Sequence, residues 1–405
     1  MSTDTSLRAL GRELGDSASL GRAIDELLAA RAEPTALLGL GEPTHGIAAF
    51  PVLRNKLLAQ LVDRGFRSIA LEIDMTAATL VDDYVHGAGT DLDTVLATGF
   101  SHHFGAVPGN RELVEWLRMH NAGRPPHDRV RFYGFDFPGD QVEIASPGPA
   151  LRATVAYLPE PLRPRSADEL ETLLGDDAEW TNQAAMYDPA ASIGDSERAR
   201  ALRILADDLA GALRRAAPAL HPADPDGYAD AVASARTALG QLRFHAAMAE
   251  TGPDRIAHML AVRAELMADN LLDIRAREQH RGATLVFAHN VHLQYAPPSM
   301  AVGENQVRWA NAGALVALAL GERYAFVAAD ANPHSEPGTL AGVLAEATSG
   351  RALFPAGPLR AALPATIRSG EPMMPGHIPF TPADLTGADA IIWIADTDGQ
   401  RHRYW

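Results

Sequence analysis

The chain has 405 residues, a formal net charge of −16 and no cysteine. Its length allows one large domain or two ordinary ones, and its acidity, with no basic stripe to offset it, argues against nucleic acid as a partner. Without cysteine, disulfides, thiolate nucleophiles and cysteine-ligated zinc are all excluded. No apolar run approaches the roughly 20 residues of a membrane helix, Ala314 to Leu320 being the longest clean stretch. The start, MSTDTSLRALGRELG, has no basic segment leading into an apolar one. The expectation is a cytoplasmic protein, a monomer or small homo-oligomer, with no nucleic-acid or membrane partner.

Leucines and isoleucines at helical spacing predict a helix from about Thr5 to Ala32, ended by Glu33-Pro34. Leu37 to Gly46, LLGLGEPTHG, then reads as a short buried strand that breaks at glycine and presents Glu42, Thr44 and His45. In an open parallel sheet ligands bind where the loops leave the strands' carboxyl ends, so this stretch is the expected core of an active site. A helix follows, with Val52, Leu53, Leu57, Leu58, Leu61 and Val62 as its apolar stripe. Arg54 lies about two and a half turns beyond His45, assigned to a face other than the leucines, either solvated or turned back over the site.

SIALEI, Ser68 to Ile73, is a second strand with Glu72 near its end and Asp74 just after it. A carboxylate in an apolar strand end is costly to bury alone, which makes Glu72 a site candidate. Helices at Asp91 to Thr98 and Glu112 to His120 flank the loop SHHFGAVPGN, and VRFYGFD, Val130 to Asp136, is a third strand ending on an acid. From about Pro147 to His280 the chain becomes helical, closing with a long helix from about Arg255 to Arg277 on which Arg263, Glu265, Asp269 and Asn270 read as a wet face.

The sheet resumes with ATLVFAHN, Ala283 to Asn290, which ends in His289 with His292 following. Ala310 to Leu320 is a helix, Tyr324 to Asp330 and Ala390 to Ala395 are strands, and the Pro/Gly-rich Pro333 to Pro382 between them is expected to be loops with one short helix at Thr339 to Ala347. Strands alternating with helices predict a three-layer α/β/α fold with a mainly parallel central sheet. The core is divided between residues 1–146 and 281–405, and the helical insertion, 147–280, forms one wall or lid of the cleft.

Four strand ends thus deliver Glu42 with His45, Glu72, Asp136, and His289 with His292. Such a set suits general acid–base chemistry, a histidine activating water against an ester carbonyl without any cofactor. No G-x-S-x-G, H-E-x-x-H, P-loop or G-x-G-x-x-G after a strand is present. A divalent metal on Glu42, His45, Glu72 and His289 stays open from ligand type alone. Acyl transfer or lactone closure would use the same residues, and a binder of a hydrophobic ligand, haem or metal is a third reading.

In combination these segments resemble the erythromycin esterase family. The likeness rests on GEPTHG with Arg54 in the next helix, GFRSIALE, ELVEWLRMHN, VRFYGFD, RAELMADN and AHNVH. It implies a hydrolase that opens a macrolide lactone with water, without a covalent serine intermediate or an obligatory metal, in resistance or natural-product metabolism. His45 would be the general base, with Glu42, Glu72, His289, Arg54 and His292 lining the same site; the strand ends add Asp74 and Asp136, on the substrate side with Arg54 and His292. Pro43 departs from the small residue usual in the motif, fixing its own φ and holding Glu42 extended.

Overall fold

Eight short segments pair into one sheet: β1 (Arg12–Glu13), β2 (Leu37–Glu42), β3 (Phe66–Asp74), β4 (Arg131–Asp136), β5 (Ala283–His289), β6 (Tyr324–Asp330), β7 (Arg351–Pro355) and β8 (Ala390–Ile394). The computed structural model describes residues 3–140, 143–302, 305–397 and 401–402. Across the sheet the order is β1-β7-β8-β6-β2-β5-β3-β4. Strands β8, β6, β2, β5 and β3 pair in parallel, while β7 runs antiparallel to both β8 and β1. This is the mainly parallel α/β sheet with a helical insertion that the alternating pattern predicts.

Strand β2 is buried at all six positions because it is paired on both edges and covered on both faces. Leu38 and Leu40 join the core formed with α2 (Ser17–Ala29) and α3 (Ala49–Val62). Gly39 turns the other way, toward Leu293, Tyr324 and Phe326. Gly41 is required by contact: a Cβ there would sit 2.0 Å from Oδ1 of Asn290. The Asn290 amide uses that space to donate to Ala329 O (2.8 Å) and accept from Ala329 N (3.2 Å), tying the ends of β5 and β6 together across β2.

Several sequence expectations need correction. The N-terminal helix is two helices, α1 (Thr3–Leu10) and α2, separated by β1. Gly11 and Gly15 interrupt it, and Asp16 starts α2 afresh by accepting Ser19 N (2.7 Å) while Ser19 Oγ accepts Asp16 N (3.0 Å). The Pro/Gly-rich stretch contains β7 and a helix, Ala356–Ala362, beyond the short helix seen at Leu340–Ala347. In α3, Arg54 shares the leucine face, since it precedes Leu57, Leu58 and Leu61 by three, four and seven residues, and it is 1% exposed.

Residues 136–270 form a second compact unit apart from 1–135 and 271–405. Its main helices are α5 (Glu197–Ala223), α6 (Pro225–Met248) and most of α7 (Arg255–Glu278). It has its own core, in which Leu151, Leu174, Trp180, Leu202, Leu209 and Leu242 are buried. On α7, Glu265 and Asp269 are exposed as expected, but Asn270 is buried and accepts Arg236 Nε (3.1 Å). No helix among the described residues is long and apolar enough to cross a membrane.

Candidate active site

Parallel pairing sets Glu42, the last residue of β2, opposite His289, the last of β5. Beyond Glu42 the chain turns through Pro43, Thr44 and His45 and leaves by Gly46, whose φ of +86° suits glycine. The turn folds His45 back onto its own strand, with Nδ1 at 2.8 Å from Glu42 Oε1. A carboxylate accepts, so in the neutral ring Nδ1 carries the proton and Nε2 the lone pair. That nitrogen faces Glu72 Oε1 at 3.8 Å, too long for a direct hydrogen bond.

Glu72 joins the two histidine segments. Its Oε2 accepts the backbone N–H of His289 (2.8 Å), and Oε1 lies 3.1 Å from His292 Nε2. His292 is not on the strand itself but on the single turn α8 (Asn290–Leu293) that follows β5. The His289 ring is held at both nitrogens: Nε2–H donates to Pro43 O (2.9 Å), and Nδ1 accepts Val291 N (3.3 Å). Burial, with His45 and His292 adding to it, pushes its pKa well below the usual histidine value. His289 is therefore a neutral ring stacked edge-on to His45, with centroids 5.5 Å apart.

Behind His45 lies the buried guanidinium of Arg54. It donates to Asn110 Oδ1 (2.8 Å), Asn55 Oδ1 (2.8 Å) and Gly109 O (3.2 Å), and stacks 5.0 Å from the Phe287 ring centre. Burial pulls its pKa down to about 9 against the opposing pull of Glu42 and Glu112. Burial likewise raises the Glu42 carboxyl, with His45 and Arg54 opposing. Asn110, at the start of α4 (Asn110–Asn121), also donates to Phe104 O (2.7 Å), and the Phe104 ring covers His45 at 4.9 Å.

Glu42, His45, Arg54, Glu72, Phe104 and Phe287 are among the residues lining a cavity of about 20 Å3, room for one water. Glu42 Oε2, Thr44 Oγ1 and His292 Nδ1 are buried with no hydrogen-bond partner among the described residues. The arrangement combines an oriented imidazole, acceptors beside it, a buried cation behind it and little space for bulk solvent. Among the described residues no three His, Asp or Glu side chains are grouped so as to hold a metal ion.

Of the residues singled out in the sequence, Glu42, His45, Arg54 and Glu72 line this cavity, and His289 and His292 bind Glu72. Asp74 does another task, accepting Thr76 N and Ala77 N (2.6 and 3.1 Å) at the entry to the helix Ala78–Val85. Asp136, in the helical unit, is paired with Arg263. Sequence reading missed Asn110, Phe104 and Phe287. The loop SHHFGAVPGN holds two of them, and its one visible signal is an aromatic and an asparagine set among glycines and histidines.

Comparison with known proteins agrees with this fold. A Bacillus cereus protein superposes with a TM-score of 0.73 at 17% identity, covering 98% of each chain. A histidine-to-asparagine mutant of the erythromycin esterase EreC, in its open conformation, gives 0.67 at 19% identity over 95% of each chain. A succinoglycan biosynthesis protein gives 0.66 at 15% identity, over 98% of this chain and 96% of that one. Erythromycin esterase type II of Escherichia coli is 30% identical over 105 residues, 26% of this chain and 24% of that protein's length. The aligned stretch thus spans about a quarter of that relative. The erythromycin esterase family model matches residues 61–363, well over half of the chain though beginning beyond His45 and Arg54, and the protein belongs to that family.

Proposed function

We propose that the protein hydrolyses a carboxylic ester or lactone of a small molecule with water activated by His45. The observation that carries this reading is the 2.8 Å contact between His45 Nδ1 and Glu42, which leaves Nε2 as a base beside a cavity the size of one water. Nε2 takes a proton from that water as its oxygen bonds to the carbonyl carbon, and the Glu42 carboxylate stabilises the imidazolium. The tetrahedral oxyanion then expels the alkoxide as the acyl C–O bond breaks. His45 returns its proton to the alkoxide, giving a carboxylic acid and an alcohol. Glu72 positions the attacking water from the far side, and the Arg54 charge supports the developing negative charge through a dry environment.

His289 takes a positioning role in this scheme, because both of its ring nitrogens are engaged by backbone. Macrolactones head the list of substrates, on the strength of the Escherichia coli relative's name. The test is to incubate the purified protein with macrolides and smaller lactones in 18O-labelled water and follow mass. Incorporation of one labelled oxygen into the acid product supports hydrolysis. A correctly folded His45→Ala variant with full turnover would sink the assignment. Turnover is expected to survive a chelator, since the scheme uses only His45, Glu42, Glu72 and Arg54.

A further inference from the structure

The helical unit contains a cavity of its own, unrelated to the groups used above. Gly240 brings α6 so close to α7 that a Cβ at this position would meet Leu266 Cδ2 at 2.8 Å. Beside that contact, α5, α6 and α7 bound a cavity of about 350 Å3, at the lower end of the range of small-molecule sites. Its walls are aliphatic, from Leu213, Val232, Leu239, Val262 and Leu266.

The charge around it runs against that of the whole chain. Arg214, Arg236 and Arg243 line the cavity with only two carboxylates, Glu265 and Asp269, in a protein whose net charge is −16. Glu265 is paired with Arg243 at 2.6 Å, while Arg214 has no hydrogen bond or ion pair with any described residue. An apolar pocket with an unpaired guanidinium in its lining selects a molecule with an apolar body and one anionic end.

We propose that this cavity binds a small amphipathic anion, an alkyl chain carrying a single carboxylate, with the chain against the aliphatic walls and the carboxylate on Arg214. Binding is independent of any ester turnover, so it stands or falls apart from the hydrolase reading. The experiment is calorimetric titration of the full chain with decanoate below its micelle concentration, and with decanol as the uncharged match. Saturable decanoate binding is expected, weakened about tenfold or more by Arg214→Glu, abolished by Val232→Trp, and about tenfold tighter than decanol binding. Absence of saturable decanoate binding overturns the proposal. Equal affinity for decanol overturns the anion assignment, and full affinity in both variants overturns the location. Arg214 is exposed, so its variant is expected to fold even where the tryptophan variant does not.

Discussion

His45 Nδ1 stands 2.8 Å from Glu42 Oε1, and this single contact decides that the ring's other nitrogen faces Glu72. Glu42 is itself buried, and burial raises its pKa. An acid whose folded pKa is raised binds its proton more tightly in the native state, so it withdraws stability as pH rises past its unfolded value. Activity and stability therefore pull in opposite directions at this residue. Glu42→Gln keeps the shape and one acceptor but loses the charge that supports the imidazolium. It is expected to lower kcat by about 10²–10⁴-fold while leaving Tm unchanged or raised at neutral pH, measured by steady-state kinetics and thermal unfolding.

Asn110 connects Arg54 to the loop that carries Phe104 over His45. Asn110→Ala removes an acceptor from a buried guanidinium and a donor from Phe104 O together. The expected loss is about 1–3 kcal/mol of stability in urea unfolding. Because Arg54 stays charged and buried, Arg54→Lys is not a mild change: a lysine cannot supply the fork of donors that reaches Asn55, Asn110 and Gly109. It is expected to cost at least as much as Asn110→Ala in the same measurement.

Much of this site was legible because it sits where apolar strands end on polar residues. Glu42, Glu72 and His289 follow that rule, and the parallel register brings the first and last together. Arg54 belongs to the leucine face, not another one, as its spacing to Leu57, Leu58 and Leu61 shows, and of the two readings, solvated or turned back over the site, it takes the second. Asn110 and Phe104 carry no such signature. They reach the site through a loop whose path is fixed by tertiary contacts, among them Gly105, where a Cβ would meet Leu96 O at 1.9 Å. Strand β7 was hidden by the prolines and glycines around it, which an edge-side antiparallel strand tolerates better than a central one.

His102 and His103, just before Phe104 in that loop, adopt φ values of +58° and +53°, the left-handed region that disfavours side chains bearing Cβ. Two such residues in succession store strain next to the candidate site. His103 is exposed, so His103→Gly relieves one of them without opening the core. Glycine also gains freedom in the unfolded chain, which offsets part of the relief. A net stabilisation of up to about 1 kcal/mol in urea unfolding is expected. A destabilised variant would show that the imidazole itself holds the loop in place.

Two buried histidines lower stability in acid. His245, in the helical unit, is 1% exposed, lies edge-on to Trp180 at 5.0 Å and has its pKa pulled down to about 4 by burial. His289 is lowered for the same reason, with nearby His45 and His292 adding to the effect. In both, the unfolded state takes up a proton near the ordinary histidine value while the folded state does not. Stability is therefore complete above that value and is lost as pH falls toward the folded pKa. Each group removes about 1.4 kcal/mol per pH unit within its window. For His245 that window runs from the ordinary value of 6.5 down to about 4. Urea unfolding followed across it is expected to show falling stability with acidification. His245→Phe, which keeps a ring against Trp180 but cannot titrate, is expected to reduce the slope by about one proton's worth. An unchanged slope would mean that the His245 ring gains its proton without unfolding, through a local opening of the helical unit.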